Sequence, residues 1–199
     1  MNRFTQEQLR GRLRSYRGRH TDLPPPFRWA AVAIILRPRG RRDADILFIK
    51  RAQHPDDPWS GHMAFPGGRK DDADPSILAT VIRECQEELN LDLSTYPPLT
   101  QLSDLQASSR KGFHAMVIRP FVFLLDRDPA LNPNEEVDEV VWLPLSMLLS
   151  GAAHGVRSLE RHGHVFDFPC IRHGDYVIWG LTYQMLHELL ECLKESRKE

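Results

Sequence analysis

Apolar positions in this chain follow two periods, and the places where the period changes mark the elements. Trp29 to Leu36 (WAAVAIIL) is an unbroken run of eight apolar residues, the pattern of a strand buried on both faces. A basic turn, Arg37-Pro-Arg-Gly-Arg-Arg42, follows. Ile46 to Arg51 predicts a second strand, so residues 29–51 read as a hairpin. His54 to Ser60 is a loop leading into the short apolar Met63-Ala64-Phe65 and then Pro66-Gly67-Gly68. Further on, Leu99 to Leu105 is a short apolar segment, Ala107 to Gly112 a polar loop, and Phe113 to Leu125 a strand. That strand is expected to break, or to lie at an edge, at Pro120, which has no N–H for a ladder. Val137 to Leu143 alternates as a strand, and Pro144 to Leu149 suits a helical turn. Val165 to Phe168 with Tyr176 to Trp179 predict a late hairpin.

Helical spacing appears in three segments. Leu9, Leu13 and Tyr16 share one face of an amphipathic helix within residues 1–20, which carry six arginines and one acid, Glu7. Pro24, Pro25 and Pro26 end it and mark a linker. Residues 76–89 form the second helix. The third, residues 181–196, turns Leu186, Leu189, Leu190 and Leu193 inward. Strand, strand, helix, strands, helix is the order of an α/β protein with a mixed sheet covered by helices. Residues 1–26 are expected to be a helix and proline-rich linker, and residues 27–199 the main domain.

The second helix carries the chemistry. Asp74 suits its N-cap, Pro75 its first position, and Asn90 a left-handed C-terminal residue, so it is expected to run from about 75 to 89. Ile77, Leu78, Val81, Ile82, Cys85 and Leu89 make the apolar stripe, and Glu84, Glu87 and Glu88 stand together at its edge. Like charges at these spacings repel, and acids in the last turn oppose the helix dipole. A hard divalent cation resolves both conflicts, because Mg²⁺ and Mn²⁺ favour carboxylate oxygens. The bland alternative is a solvated acidic face partly neutralised by Arg83. The two glycines upstream argue for the metal, since they allow close backbone approach.

Arg83-Glu84-Cys85, Glu87-Glu88 and Leu91 resemble the second half of the Nudix box, the signature of the Nudix hydrolase family. The first half departs from that pattern. Gly68 lies one residue too far upstream, Pro75 stands where the box has a glutamate, with Asp74 beside it, and Asn90 replaces the terminal glycine. Phe65-Pro66-Gly67-Gly68, Asp71, Asp74, Thr80, Arg83 and Glu84, with upstream Arg51, His54 and Gly61, look like the coenzyme A pyrophosphatase subgroup. The resemblance implies a Nudix fold, an α/β/α sandwich around a mixed β-sheet. It implies hydrolysis of a nucleotide pyrophosphate with Mg²⁺ or Mn²⁺ held by Glu84, Glu87 and Glu88 and a carbonyl of Gly68 or its neighbour Gly67. Arg83 would hold a glutamate in place. Coenzyme A or its acyl derivatives are the first-choice substrate, with ADP-ribose, NADH or a nucleoside triphosphate as alternatives.

Other residues are candidates for contacting substrate. Arg51 ends a strand and suits a phosphate, Trp59 could stack on a base, and Arg110 and Lys111 could meet a 3′-phosphate. Glu135, Glu136 and Glu139 are candidates for a distal base or ligand. Two readings from other classes stay open: a non-catalytic nucleotide sensor on the same fold, and an interaction module using the arginine-rich N-terminus.

Composition narrows the partners. Twenty-six basic and 27 acidic residues leave a formal charge of -1, against a global footprint for nucleic acid. No apolar run has the length of a bilayer span, so no membrane contact is expected. No apolar leader follows the N-terminus, and Cys85, Cys170 and Cys192 form no CxxC pair, so neither a disulfide framework nor a thiolate zinc site is expected and a cytoplasmic protein is. The nine histidines show no HExxH spacing, and no Walker or GxSxG motif occurs. The partner is expected to be a small nucleotide; a homodimer is compatible with this reading, but nothing in the sequence specifies one.

Overall fold

A computed structural model describes residues 4–21, 28–55, 59–107, 116–161 and 163–194. Its elements in chain order are α1 (Gln6–Ser15), β1 (Arg28–Pro38), β2 (Ala44–Arg51), β3 (Met63–Ala64), β4 (Gly67–Arg69), α2 (Ile77–Leu89), β5 (Thr100–Gln101), β6 (Leu105–Ala107), β7 (Met116–Leu124), β8 (Val137–Pro144), α3 (Leu145–Leu149), β9 (His154–Arg161), β10 (His164–His173), β11 (Tyr176–Trp179) and α4 (Gly180–Lys194).

β1 is the spine of an eight-stranded mixed sheet. It pairs antiparallel with β2 and β4, and parallel with β7 from Arg28 opposite Met116 to Leu36 opposite Leu124. Its apolar run is continuous because both faces are covered. Ala31, Ala33 and Ile35 pack with Val81, Cys85 and Leu89 of α2 on one side. Ile34 and Leu36 pack on the other side with Leu9 and Leu13 of α1, Leu145 and Leu148 of α3, and Leu186, Leu189, Leu190 and Leu193 of α4. The predicted inward face of the last helix is therefore the observed one. α1 is fixed to α4 by polar contacts too: Arg12 Nη1 donates to the Leu193 carbonyl at 2.6 Å, and the Tyr16 hydroxyl to Glu188.

Three expectations are corrected. First, β7 runs through Pro120 without a break and lies inside the sheet, between β1 and the pair β5 and β6. Its antiparallel partner is interrupted instead, since Gln101 faces Phe121 and Leu105 faces Ile118. The Pro120 carbonyl accepts from Leu102 N on that side, the side to which a residue's own N–H also points. The missing donor thus falls at the gap, which a two-pronged Arg119–Asp104 pair fills at 2.8 Å for both contacts. Second, the late hairpin is a three-stranded sheet. β11 pairs only with Cys170 to His173 at the end of β10, and β9, which the sequence reading left without an element, pairs along β10 from His154 to Arg161. β9 mixes charged and small residues in alternation, so it shows little apolar signal. Third, α2 begins at Ile77 and its N-cap is Ser76, whose side chain accepts from Ala79 N at 3.1 Å. Pro75 therefore precedes the cap, and Asp74 is released for another task.

The three cysteines are buried and none is in a disulfide. Among the described residues no helix is long and apolar enough to cross a membrane.

Candidate active site

The site grows from the seam between α2 and β4. The C-terminal end of α2 is specified as the sequence predicts: Asn90 adopts φ 54 and ψ 35, and its N–H reaches back to Cys85 and Gln86 carbonyls. The loop after β7 closes two further orphan carbonyls of that last turn. Asn132 N donates to Leu89 O and Asn134 N to Glu88 O, both at 2.9 Å, which leaves the acidic turn rigidly held.

Two glycines bring backbone against this helix. Gly67 has φ 141, and a Cβ there would sit 2.2 Å from the Ala31 carbonyl, so only glycine fits. At Gly68 a Cβ would meet the Glu84 carboxyl group at 2.5 Å. The Glu84 carboxylate therefore lies directly over bare backbone. One turn later, Glu88 Oε2 accepts from Gly67 N at 2.8 Å. The sequence reading gave these glycines a carbonyl role; the contact observed is through the Gly67 N–H.

The three glutamates occupy three environments. Glu88 is only 3 % exposed. Burial pushes its carboxyl up to about 8, opposed by the Gly67 N–H and reinforced by the neighbouring Glu84 charge. Glu84 is half-buried and is also raised, by burial first, although Arg83 pulls it down. Glu87 stands largely in solvent. Burial likewise raises the Cys85 thiol behind them, so it is an inert part of the apolar stripe.

Arg83 ties this turn to the loop before the helix. Its Nε and Nη2 grip the two oxygens of Asp74 at 3.0 Å each, and Nη1 lies 2.9 Å from Glu84 Oε1 and 3.1 Å from Glu87 Oε2. Nη2 also donates to the Arg69 carbonyl. Asp74 is buried and further accepts from Thr80 Oγ1 and Asp71 N, both at 2.9 Å. The Arg83 hydrogen bonds hold its carboxyl well below the usual range. Asp74 thus anchors Arg83 from one residue upstream of Pro75, the place where the box has its glutamate. The signal was in the sequence as an aspartate just before the helix and a threonine and an arginine one turn apart on it, but the N-cap assignment of Asp74 obscured it.

Of the other candidates, Arg51 and Glu136 join the site. The Arg51 charge lowers the Glu88 carboxyl and that of Glu136 raises it, so both belong to its electrostatic surroundings. Arg51 sits past an irregularity in the β2–β8 ladder, opposite Val137. Trp59 is 49 % exposed in the following loop. Glu139 is drawn away to the Tyr176 hydroxyl. Arg110 and Lys111 lie outside the described residues.

These groups fit a hard divalent ion. Among the described residues no three acidic, histidine or cysteine side chains converge into a ready-made cage. Mg²⁺ does not need one: it keeps several waters and takes one or two carboxylates plus substrate phosphates. Glu84 and Glu88, an i, i+4 pair against glycine backbone, offer that donor set, and ionised Glu88 gains a partner that its buried position otherwise denies it.

A helix of acids laid on a glycine strand, within helix layers on both sides of a mixed sheet, defines a phosphate-handling hydrolase of the Nudix type. The sequence profile of the NUDIX domain matches residues 26–162. An uncharacterised Nudix hydrolase, NudL of Photorhabdus laumondii, is 31% identical over 172 residues, 84% of this chain and 89% of that protein. The mitochondrial coenzyme A diphosphatase NUDT8 of Homo sapiens is 33% identical over 151 residues, 74% of this chain and 62% of that protein. In structure, a Caenorhabditis elegans Ap4A hydrolase in a binary complex superposes with a TM-score of 0.51 at 17% identity, covering 62% of this chain and 84% of that one. RenU, a Nudix hydrolase of Mycobacterium smegmatis, gives 0.51 at 19% identity, covering 68% and 76%. The chain belongs to the Nudix family and is a Nudix pyrophosphohydrolase, a class that acts on small nucleotides with divalent metal ions.

Proposed function

We propose that this enzyme hydrolyses the pyrophosphate of coenzyme A or acyl-coenzyme A, releasing 3′,5′-ADP and the (acyl-)phosphopantetheine. The observation that carries the chemistry is the buried Glu88 held on the Gly67 N–H beside Glu84. The substrate rests on the Phe65-Pro66-Gly67-Gly68 and Asp71, Asp74, Thr80 pattern together with the likeness to a coenzyme A diphosphatase.

Glu84 and Glu88 are the residues that would hold Mg²⁺ or Mn²⁺, with Glu87 and the Gly67–Gly68 backbone adjoining. Bound there, the ion would screen the diphosphate charge and acidify a water. Glu87, the most exposed of the three, would serve as a further ligand or as the proton acceptor. Arg83, anchored on Asp74, holds Glu84 and Glu87 in register. Arg51 supplies a guanidinium for a phosphate oxygen beside them. Residues 27–199 form the catalytic unit in this reading, with residues 1–26 as an attached helix and linker. Deleting residues 1–22 tests that division: retained hydrolysis supports it.

The deciding experiment is a product-resolved screen with Mg²⁺ and with Mn²⁺ over coenzyme A, an acyl-coenzyme A, ADP-ribose, NADH and nucleoside triphosphates. Release of 3′,5′-ADP from coenzyme A at the highest kcat/KM supports the proposal. Preference for ADP-ribose or triphosphates keeps the pyrophosphatase and discards this substrate.

A further inference from the structure

The basic turn between β1 and β2 lines a groove that hydrolysis does not use. The groove has a volume of about 790 Å³ and is lined by Arg39, Arg41, Arg42 and Asp43 of the turn and by Pro144, Ser146, Met147 and Ser150 around α3. That volume is within the roughly 300–1,000 Å³ common for small-ligand sites. Its arginines differ from their neighbour Arg37, which is consumed by Asp45, Asp128 and the face of Trp142. Arg39 reaches only Asp45, at 3.6 Å. Arg41 and Arg42 are exposed, and among the described residues neither has an ion-pair partner. The one acid in the groove is already occupied. Asp43 accepts from Ala44 N at 2.9 Å, Ser146 N at 3.1 Å and Ser146 Oγ at 2.6 Å. Those contacts bind the turn to α3, and Arg39 N donates to the Asp43 carbonyl to close it. The turn is therefore anchored to α3 at Asp43, and the groove's three arginines outnumber its one carboxylate on a protein whose overall charge is near zero.

We propose that this groove binds a small phosphate-bearing anion through the guanidinium forks of Arg41 and Arg42, with Arg39 at its rim. Arginine is suited to this because its planar fork meets phosphate oxygens in pairs. The place is separate from the hydrolytic site. β2 starts at Ala44 beside the groove and ends at Arg51 beside Glu88, which at about 3.3 Å per residue puts the two about 23 Å apart. The groove is open to solvent, and its paired guanidinium forks match the oxygens of a single phosphate group on a small anion.

The test is calorimetric titration of inorganic diphosphate into the full-length protein in EDTA, which keeps metal from carrying diphosphate to the carboxylates. Three proteins are compared: wild type, the Arg41→Ala/Arg42→Ala double variant, and Arg51→Ala. The expected result is binding to wild type and Arg51→Ala alike, at least tenfold weaker in the double variant. The double variant's melting temperature and its turnover at saturating nucleotide should match wild type. Equal binding in all three proteins, or no binding to wild type, overturns the proposal. Loss confined to Arg51→Ala moves the anion to the hydrolytic site and overturns it as well. A parallel arm uses phosphatidylserine–phosphatidylcholine vesicles; binding to vesicles with no response to diphosphate makes the turn a membrane contact instead.

Discussion

The last turn of α2 and the ribbon of β9 and β10 depart from the usual partition of residues in opposite senses. In the first, a carboxylate is taken out of water; in the second, large apolar side chains are left in it. Glu88 is almost fully buried, while Val165 is 68 % and Phe166 47 % exposed, with Val156 and Phe168 beside them. The two departures differ in how they are supported. Around Glu88 every neighbour is arranged: a glycine N–H, a fixed helix end, and an arginine held by a buried aspartate. Around the ribbon, ladder pairing from His164 opposite Arg161 to Ile171 opposite His154 is the main constraint. A buried ionisable group costs several kcal/mol unless compensated, whereas one exposed apolar side chain costs little. The heavily supported departure is therefore the one that reports function.

The largest expected effect tests that contrast directly. Glu84→Gln and Glu88→Gln should each lower kcat by at least about 10²-fold, roughly 2.7 kcal/mol of barrier. Steady-state kinetics with near-wild-type turnover in both would remove the metal assignment.

Next comes pH. The folded-state pKa of Glu88 lies above its unfolded value, so across that interval the folded protein keeps a proton that the unfolded chain releases. Metal-free stability should fall as pH rises from about 4.5 to about 8, by an amount on the order of 2–4 kcal/mol. Glu88→Gln should remove that slope and be the more stable protein at pH 8. Urea unfolding in EDTA at pH 5 and pH 8 checks this; equal slopes in both proteins contradict the burial argument.

Asp74→Ala should destabilise by about 2–3 kcal/mol, because it strips acceptors from Arg83 and from the buried Thr80 hydroxyl. It should also reduce turnover, as Arg83 is freed from its anchor. A loss under about 0.5 kcal/mol would mean the network is ornamental. The smallest change is expected on the ribbon, where Phe166→Ser should shift thermal unfolding by no more than about 0.5 kcal/mol. A much larger loss would show that this face is covered, and would erase the contrast.

The sequence disclosed the central hairpin, both long helices and the acidic turn, because each depends on local periodicity or on a residue type with one conformational use, such as Asn90. It was less informative wherever position depends on a distant partner. Pro120 looked like an edge residue because the interruption it matches lies in β5 and β6. β9 had little apolar signal of its own, since it is the edge strand of an exposed ribbon and pairs with β10 alone. The Glu84, Glu87, Glu88 cluster was visible as a cluster. That burial divides them so unequally was not, because it depends on how closely the glycine strand approaches. The same holds for Asp74, whose role depends on where Arg83 points.

The parallel register of β1 and β7 also bears on how the chain is made. Trp29 and Val117 are neighbours in the sheet yet lie about 90 residues apart along the polypeptide, a separation that slows folding through the entropy of closing so long a loop. The glycine strand and α2 leave the ribosome well before β7 does, and the loop that clasps the end of α2 comes later still. Until then the Leu89 and Glu88 carbonyls lack the Asn132 and Asn134 N–H groups that close the turn. On this timetable the acidic turn is synthesised first and is locked in place only when the sheet closes.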